Sequence, residues 1–385
     1  MKLGLTLALL GGTVTKMSIL ATATNTTTML SRIRGAFHGA LVSDALCLGS
    51  HYEYDAPTIK AAYGGKRIER YMSPGEMLGG STHGVGWGRR NYHPGQKAGD
   101  QTDYGEYNIL WLEYLSTQRK DKTSTAIDLQ DFLPYWRDRL ASNWGMWVCT
   151  QTKLSMDQYK QNVPTNRLGG NSNAMAIRSA AALAAFNTEE QVVGAARTMM
   201  FTHRSEEALS GGEFFARVSW KVIHQRITPR EAMASTAKEM SPWIQEQYTK
   251  GFNKFIEATD PNLPLGKEEF VDDLAMTSMA RLWDVGKTEP IKVGKASPTE
   301  GTLPSSVYII LKYENSYEDA VKANVMVGGD NASRAIAIGM VLGAYHGVEG
   351  IPADLLVGLN AYDKCDKLLR ELPVVKALLS DEKEL

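Results

Sequence analysis

Cysteine is scarce in this chain, and the three present, Cys47, Cys149 and Cys365, lie far apart. Their number and spacing give neither a disulfide framework nor a zinc pattern, which leaves buried or half-buried thiols. Net charge is lacking too: 42 Lys and Arg stand against 43 Asp and Glu, a formal charge of −1 with the two signs interspersed. This argues against a nucleic-acid binder working through a basic face. A small anionic ligand is still allowed, because helix N-termini bind anions without a basic surface. Beyond the first thirty residues no stretch is long and apolar enough to span a bilayer. Alternating β-type runs are also rare. The best, Ser305 to Leu311, follows a Pro304 that suits a helix start, and its amphipathic continuation reads as helix.

What is present is ordinary globular material: 385 residues, 43% hydrophobic and 22% charged, enough to bury a large core. Helix starts recur. Thr188 stands three residues before Gln191, and Thr228-Pro229-Arg230-Glu231 combines a cap with proline at the first helical position. Ser241-Pro242 is another start, and Ser316 precedes Glu318 and Asp319, acids that favour a first turn. The result is an all-α protein. Residues 1–29 differ from the rest. Lys2 and the apolar run Leu3 to Val14 suit a secretory signal, while abundant Ser and Thr, with no acid before Asp44, suit an organellar transit peptide. An over-extended start, with Met17 or Met29 as initiator, fits equally, and without a presequence the expected location is the cytoplasm. The tail Glu382-Lys383-Glu384-Leu385 is a degenerate retention signal.

Four stretches carry the chemistry. Arg34 to Glu53 repeats Gly and Ala on one helical face, which permits close helix packing. Asp44 lies inside this apolar helix and must be hydrogen-bonded or paired, as a cap on a neighbouring helix or as a site residue. Glu53 lies just past its end. Gly99 to Tyr107, with Thr102-Asp103-Tyr104-Gly105, precedes an amphipathic helix and reads locally as a cap. Gly169-Gly170-Asn171-Ser172-Asn173-Ala174-Met175-Ala176-Ile177-Arg178 follows no strand, which rules out a nucleophile elbow. Finally, Gly328-Gly329-Asp330-Asn331-Ala332-Ser333-Arg334 puts a carboxylate and a hydroxyl at the start of an Ala/Ile-rich helix. Arg334 comes four residues after Asp330, on the same helical face. A long Gly-, His- and Trp-rich loop, Gly75 to Gly99, lacks a phosphate-loop ending and reads as a substrate cover or a surface insertion. Phe201-Thr202-His203 places a histidine at a helix end, where it more often meets the dipole than acts as a catalyst.

In this order, across most of Ile33 to Gly347, the stretches resemble the signatures of the ADP-ribosylglycohydrolase superfamily. The form Gly-Gly-Asp-Asn-x-Ser-Arg resembles its J1-crystallin-like branch, and Gly343-Ala344-Tyr345-His346-Gly347 matches the family's closing Gly-Ala-Tyr-Tyr-Gly. The resemblance implies a single compact orthogonal multi-helix bundle over residues 30–380. It implies hydrolysis of an N- or O-glycosidic bond at ribose C1″ of an ADP-ribosyl or related substrate. By that likeness Glu53, Asp103, Asp330 and Arg334 are the catalytic candidates. Asp44, Tyr104, Asn171, Ser172, Asn173 and Asn331 would contact substrate, and Thr102, Asp103, Asp330 and Ser333 would hold magnesium. The match is incomplete: Tyr104 and Ala332 replace two acids and Gly105 replaces a threonine. The expectation is one magnesium ion or none, with Arg334 paired to Asp330 or Asp103 in place of lost metal charge, or else pointing to solvent. Two other readings stay open: an enzyme acting on a different small molecule without a two-metal site, and a non-catalytic crystallin-like protein. The expected partner is a small-molecule or ADP-ribosylated substrate, with no nucleic acid and no membrane span.

Overall fold

The computed structural model describes residues 28–53, 56–78, 82–84, 88–121, 123–144, 147–260, 262, 276–278, 291–293 and 297–384. Of the expected presequence, residues 1–29, the first 27 lie outside them, while Thr28 caps and Met29 begins the first helix. The helices are α1 (Met29–Cys47), α2 (Ala56–Ala62), α3 (Asp103–Glu113), α4 (Leu129–Asn143), α5 (Thr150–Lys160), α6 (Ala182–Ala185), α7 (Glu189–Met199) and α8 (Glu206–His224). They continue as α9 (Pro229–Glu239), α10 (Pro242–Thr259), α11 (Thr299–Lys312), α12 (Tyr317–Val327), α13 (Asn331–His346), α14 (Ala353–Gly358), α15 (Tyr362–Leu369) and α16 (Pro373–Glu384). Two antiparallel three-residue ladders, Thr82–Gly84 with Gly88–Arg90 and Met276–Ser278 with Ile291–Val293, are the only sheet among the described residues. The all-α reading therefore holds. No helix among the described residues is long and apolar enough to cross a membrane.

Two helices without a polar face make the centre, because a helix that is apolar all round can only be buried. In α1 only Met29, Leu30 and Arg34 are partly exposed, and in α13 only Tyr345 and His346. Glycine sets how closely they approach. A Cβ on Gly39 would lie 2.4 Å from the Gly339 carbonyl oxygen, and one on Gly343 would lie 2.1 Å from that of Gly35. Tyr317 of α12 adds a hydrogen bond from its hydroxyl to the Gly39 carbonyl, 2.7 Å. Around this pair pack α8 with α7 and α9, and α11 with α10.

The caps read from sequence are formed. Thr188 accepts from Gln191 N, Ser241 from Ile244 N and Ser316 from Asp319 N, and Thr228 with Glu231 closes a capping box. Ser305 to Leu311 is helical as expected, but Pro304 does not start that helix. It lies inside α11, which begins at Thr299.

At the edge, α15 is tied to α1 by Asp366. Its carboxylate accepts from Arg34 Nε (3.0 Å), His38 Nε2 (3.1 Å) and Arg370 Nε (2.8 Å). Burial pushes Asp366 up, but the bonds from His38 and Arg370 and the Arg34 charge outweigh it and hold the carboxyl well below the usual range. Burial also pushes His38 down, so it meets Asp366 as a neutral N–H donor and the positive charge comes from the arginines. A carboxyl depressed in the folded state stabilises above its unfolded pKa, and the contribution fades as pH falls toward the folded one. Asp366→Asn is thus expected to cost roughly 1.5–3 kcal/mol at pH 7. The gap between variant and wild type should shrink below about pH 4. Urea unfolding at several pH values checks this, and a gap independent of pH would show that the charge contributes nothing.

Candidate functional site

The ends of the two central helices meet at one point. After α1 the chain turns through Ser50 to Glu53, with Tyr52 at φ 68°, a conformation rare for a large side chain. The turn is bonded to the glycine pair ahead of α13: Tyr52 N donates to the Gly329 carbonyl (2.8 Å) and Gly329 N to the Glu53 carbonyl (2.5 Å). Gly328 has φ 73°, and a Cβ there would lie 2.3 Å from the Glu53 carbonyl oxygen, so both conformation and space require glycine.

Asp330 then caps α13. Its Oδ1 accepts from Ser333 N (3.4 Å) and His51 Nε2 (3.1 Å), and its Oδ2 from the Tyr104 hydroxyl (2.8 Å). Burial pushes this carboxyl up, yet the bond and charge of His51, with bonds from Ser297 and Tyr104, keep it below the usual range. Asp330 is therefore a buried anion. Asp103, the first residue of α3, is the opposite case. Burial and the neighbouring Asp330 and Asp44 push it well up, and its Oδ1 has no hydrogen-bond partner.

Asp44 anchors the start of α3 from below. Its oxygens accept from Thr102 N (2.8 Å) and Thr102 Oγ1 (2.6 Å), and burial pushes its pKa up to about 7. A Cβ on Gly105 would lie 2.3 Å from Asp44 Oδ2, which explains the glycine at that position.

Above these groups opens a cleft of about 220 Å³. Asp103, Tyr104 and Ser172 line it, together with Tyr52, Trp147, Arg178 and His203. Arg178 is 3% exposed, lies 3.5 Å from the Tyr107 ring centroid, and donates from Nη1 to Thr202 Oγ1 (2.8 Å). The Thr202 hydroxyl lies 2.9 Å from His203 Nδ1. Since arginine can only donate, the Thr202 hydroxyl proton is available to Nδ1, an arrangement that places the imidazole proton on Nε2. Burial and Arg178 push His203 down to about 3, so it is a neutral donor.

Other residues singled out from sequence lie elsewhere. Asn171 is exposed, and Asn173 bonds Glu300 on the rim (3.2 Å). Asp44, Asn331, Ser333 and Arg334 are fully buried and Glu53 is 1% exposed; none of the five is in the cleft wall. Asn331 Nδ2 donates to Ser50 Oγ (3.0 Å), and the Ser333 hydroxyl to the Asp330 carbonyl (2.8 Å). Arg334 does not point to solvent. Its Nε donates to Asn324 Oδ1 (2.9 Å) and its Nη2 to the Gly328 carbonyl (2.6 Å). The described partners of the Asp330 carboxylate are His51, Tyr104, Ser297 and Ser333, so the expected exchange of metal charge for Arg334 gives way to a histidine and a phenol.

Sequence reasoning gave no role to His51, His93 or Arg178, although all three stood in quoted stretches or loops. The magnesium set does not fit a two-ion centre. The Thr102 and Ser333 hydroxyls are spent on Asp44 and the Asp330 carbonyl, residue 332 is alanine, and Asp330 already holds a histidine and a phenol. Magnesium favours water and carboxylate oxygen over such surroundings.

Among solved structures the chain is similar to an ADP-ribosylglycohydrolase-related protein complex, at 16% identity and a TM-score of 0.58 over 90% of this chain and 98% of that one. This likeness concerns the fold. No curated protein matches the chain. A family model, ADP-ribosylglycohydrolase, matches residues 25–382, nearly the whole length. With the helical core and the motif order already described, that match shows that the chain belongs to the ADP-ribosylglycohydrolase family.

Proposed function

We propose that this chain is a hydrolase of the J1-crystallin-like branch, cleaving an N- or O-glycosidic bond at ribose C1″ of an ADP-ribosyl or related substrate. The observation that carries the reading is convergence. Segments around residues 52, 103, 172, 178 and 203 close on one cleft, and its wall holds a buried guanidinium, a neutral imidazole donor and a carboxyl. A purely structural protein has little reason to keep such groups in a cavity.

Glycosidic cleavage passes through an oxocarbenium-like state. The Asp330 anion, buried behind the cleft wall and bonded to Tyr104 of that wall, supplies negative charge, and Asp103 in the wall, pushed toward its neutral form, offers an acid. Arg178 and the His203 Nε2–H offer donors to an anionic or hydroxylated substrate. Tyr52, Tyr107 and Trp147 give it apolar faces. This reading routes no step through magnesium. The cleft volume lies below the roughly 300–1,000 Å³ usual for ligand sites, which favours, as a second reading, a smaller glycoside on the same scaffold.

The test is release of ADP-ribose from arginine- and serine-linked ADP-ribosyl peptides, followed by chromatography. Wild type is expected to release it, and Arg178→Gln to raise KM roughly tenfold or more, the loss of about 1.4 kcal/mol of binding. No release from either peptide, with no thermal stabilisation by ADP-ribose, would remove the reading. Release from a small ribosyl compound alone would favour the second.

A further inference from the structure

We propose that His51, His93 and Asp103 form a binding site for one divalent transition-metal ion, of the zinc class, that adjoins the cleft at Asp103. The three side chains come from the turn after α1, the loop ahead of α3 and the first residue of α3. One ligand atom from each lies within 4.8 Å of the others. All are buried, at 1%, 1% and 8% exposure.

Hydrogen bonding points the same way. His51 Nε2 lies 3.1 Å from Asp330 Oδ1 and donates to it, and in a neutral imidazole whose Nε2 donates, Nδ1 is the nitrogen with a free lone pair. A histidine whose second nitrogen donates to a carboxylate is the usual arrangement around bound metals, because it fixes the ring and raises its basicity. Stacking against Tyr52 at 3.9 Å holds the ring further. This Nδ1 lies 2.8 Å from His93 Nε2, a hydrogen-bonded pair that would open by roughly 0.5 Å to hold one tetrahedral ion at about 2.0–2.1 Å from each nitrogen. His93 Nδ1 and Asp103 Oδ1 are both buried without a partner. Burial of unpartnered polar atoms is costly. A cation would take the unpartnered carboxylate oxygen directly and favour the ionised form of Asp103, which burial beside Asp330 and Asp44 otherwise opposes.

The donor set selects the ion. Two imidazoles suit zinc, iron(II), cobalt and nickel, whereas magnesium takes oxygen. Three protein ligands with a side open to a cleft are the pattern of sites that keep one position for water or substrate. Of the three, Asp103 lines the cleft and is the ligand that joins the site to it. This site is separate from the magnesium set, sharing only Asp103 with it, and it does not depend on which glycoside is cleaved.

The experiment reads metal, not activity. The full chain is stripped with a chelator, reloaded with Zn²⁺ or Co²⁺, desalted and analysed by mass spectrometry for metals. About one ion per chain is expected, with visible absorption bands for Co²⁺ that millimolar Mg²⁺ does not abolish. His93→Gln should bind on the order of a hundredfold more weakly, while keeping the wild-type circular dichroism spectrum in chelator. Asp103→Asn provides a second variant with the same expectation. Substoichiometric zinc after reloading, full loading of His93→Gln, or displacement by equimolar Mg²⁺ would each overturn the proposal.

Discussion

Gly343→Ala is expected to destabilise the protein by roughly 3 kcal/mol, at the upper end for overpacking a well-filled interior. The new methyl would lie 2.1 Å from the Gly35 carbonyl oxygen, 2.8 Å from the Gly35 carbonyl carbon and 3.3 Å from the Gly39 Cα. These are backbone atoms of a buried helix, so no side chain can swing aside to make room. The helices must separate, and the close approach of Gly39 to Gly339, where a Cβ on Gly339 would lie 2.2 Å from the Gly39 carbonyl oxygen, opens with them. Separation also reaches the site, since α1 leads to His51 and α13 begins after Asp330. Gly194→Ala is the control. It lies inside α7 with nothing within 4 Å of the added atom, and should stabilise by about 0.5–1 kcal/mol through helix propensity. Urea unfolding of both variants checks the pair. A Gly343→Ala midpoint equal to wild type would mean that the close helix contact is not what holds the centre together.

How far the sequence leads depends on the range of the interaction. The caps at Thr188, Thr228, Ser241 and Ser316 were legible because a cap and its acceptor lie within a few residues. The Gly/Ala repeat of α1 announced close packing, and the repeat in α13 is its partner. Asp44 was legible as a polar group needing bonds, and Thr102 supplies them from 58 residues away. The pairing of His51 with His93, 42 residues apart, carried no local signal and emerges only when the loop ahead of α3 folds onto the turn after α1. The expectation for Arg334 failed for a specific reason. The i,i+4 rule assumes that both residues are helical, but Asp330 is the cap, at φ −78° and ψ 61°. Its carboxylate turns back toward Ser333 N and His51, while Arg334 reaches the end of α12.

Arg334→Ala should therefore act first on stability, by roughly 3–5 kcal/mol, the combined cost of buried acceptors left without donors and of the cavity opened beside them. The guanidinium is fully buried. It bonds Asn324 and the Gly328 carbonyl, and Asn324 Nδ2 in turn bonds the Asn331 carbonyl (2.9 Å), so one side chain fastens α12, the glycine turn and α13. Gly328 caps the C-terminus of α12, where a positive charge is favoured by the exposed carbonyls. Truncation leaves those acceptors buried without donors and opens a cavity beside them. Arg334→Lys does not repair this, because an ammonium on a flexible stem lacks the planar fork that reaches two acceptors at once. Arg334→Met, similar in volume but apolar, should lose less than Ala by keeping the packing. The order expected in chemical unfolding without ligand is wild type, then Met, then Ala. If instead Ala unfolds at the wild-type midpoint and only a ligand response disappears, Arg334 belongs to the substrate site rather than to the scaffold beneath it.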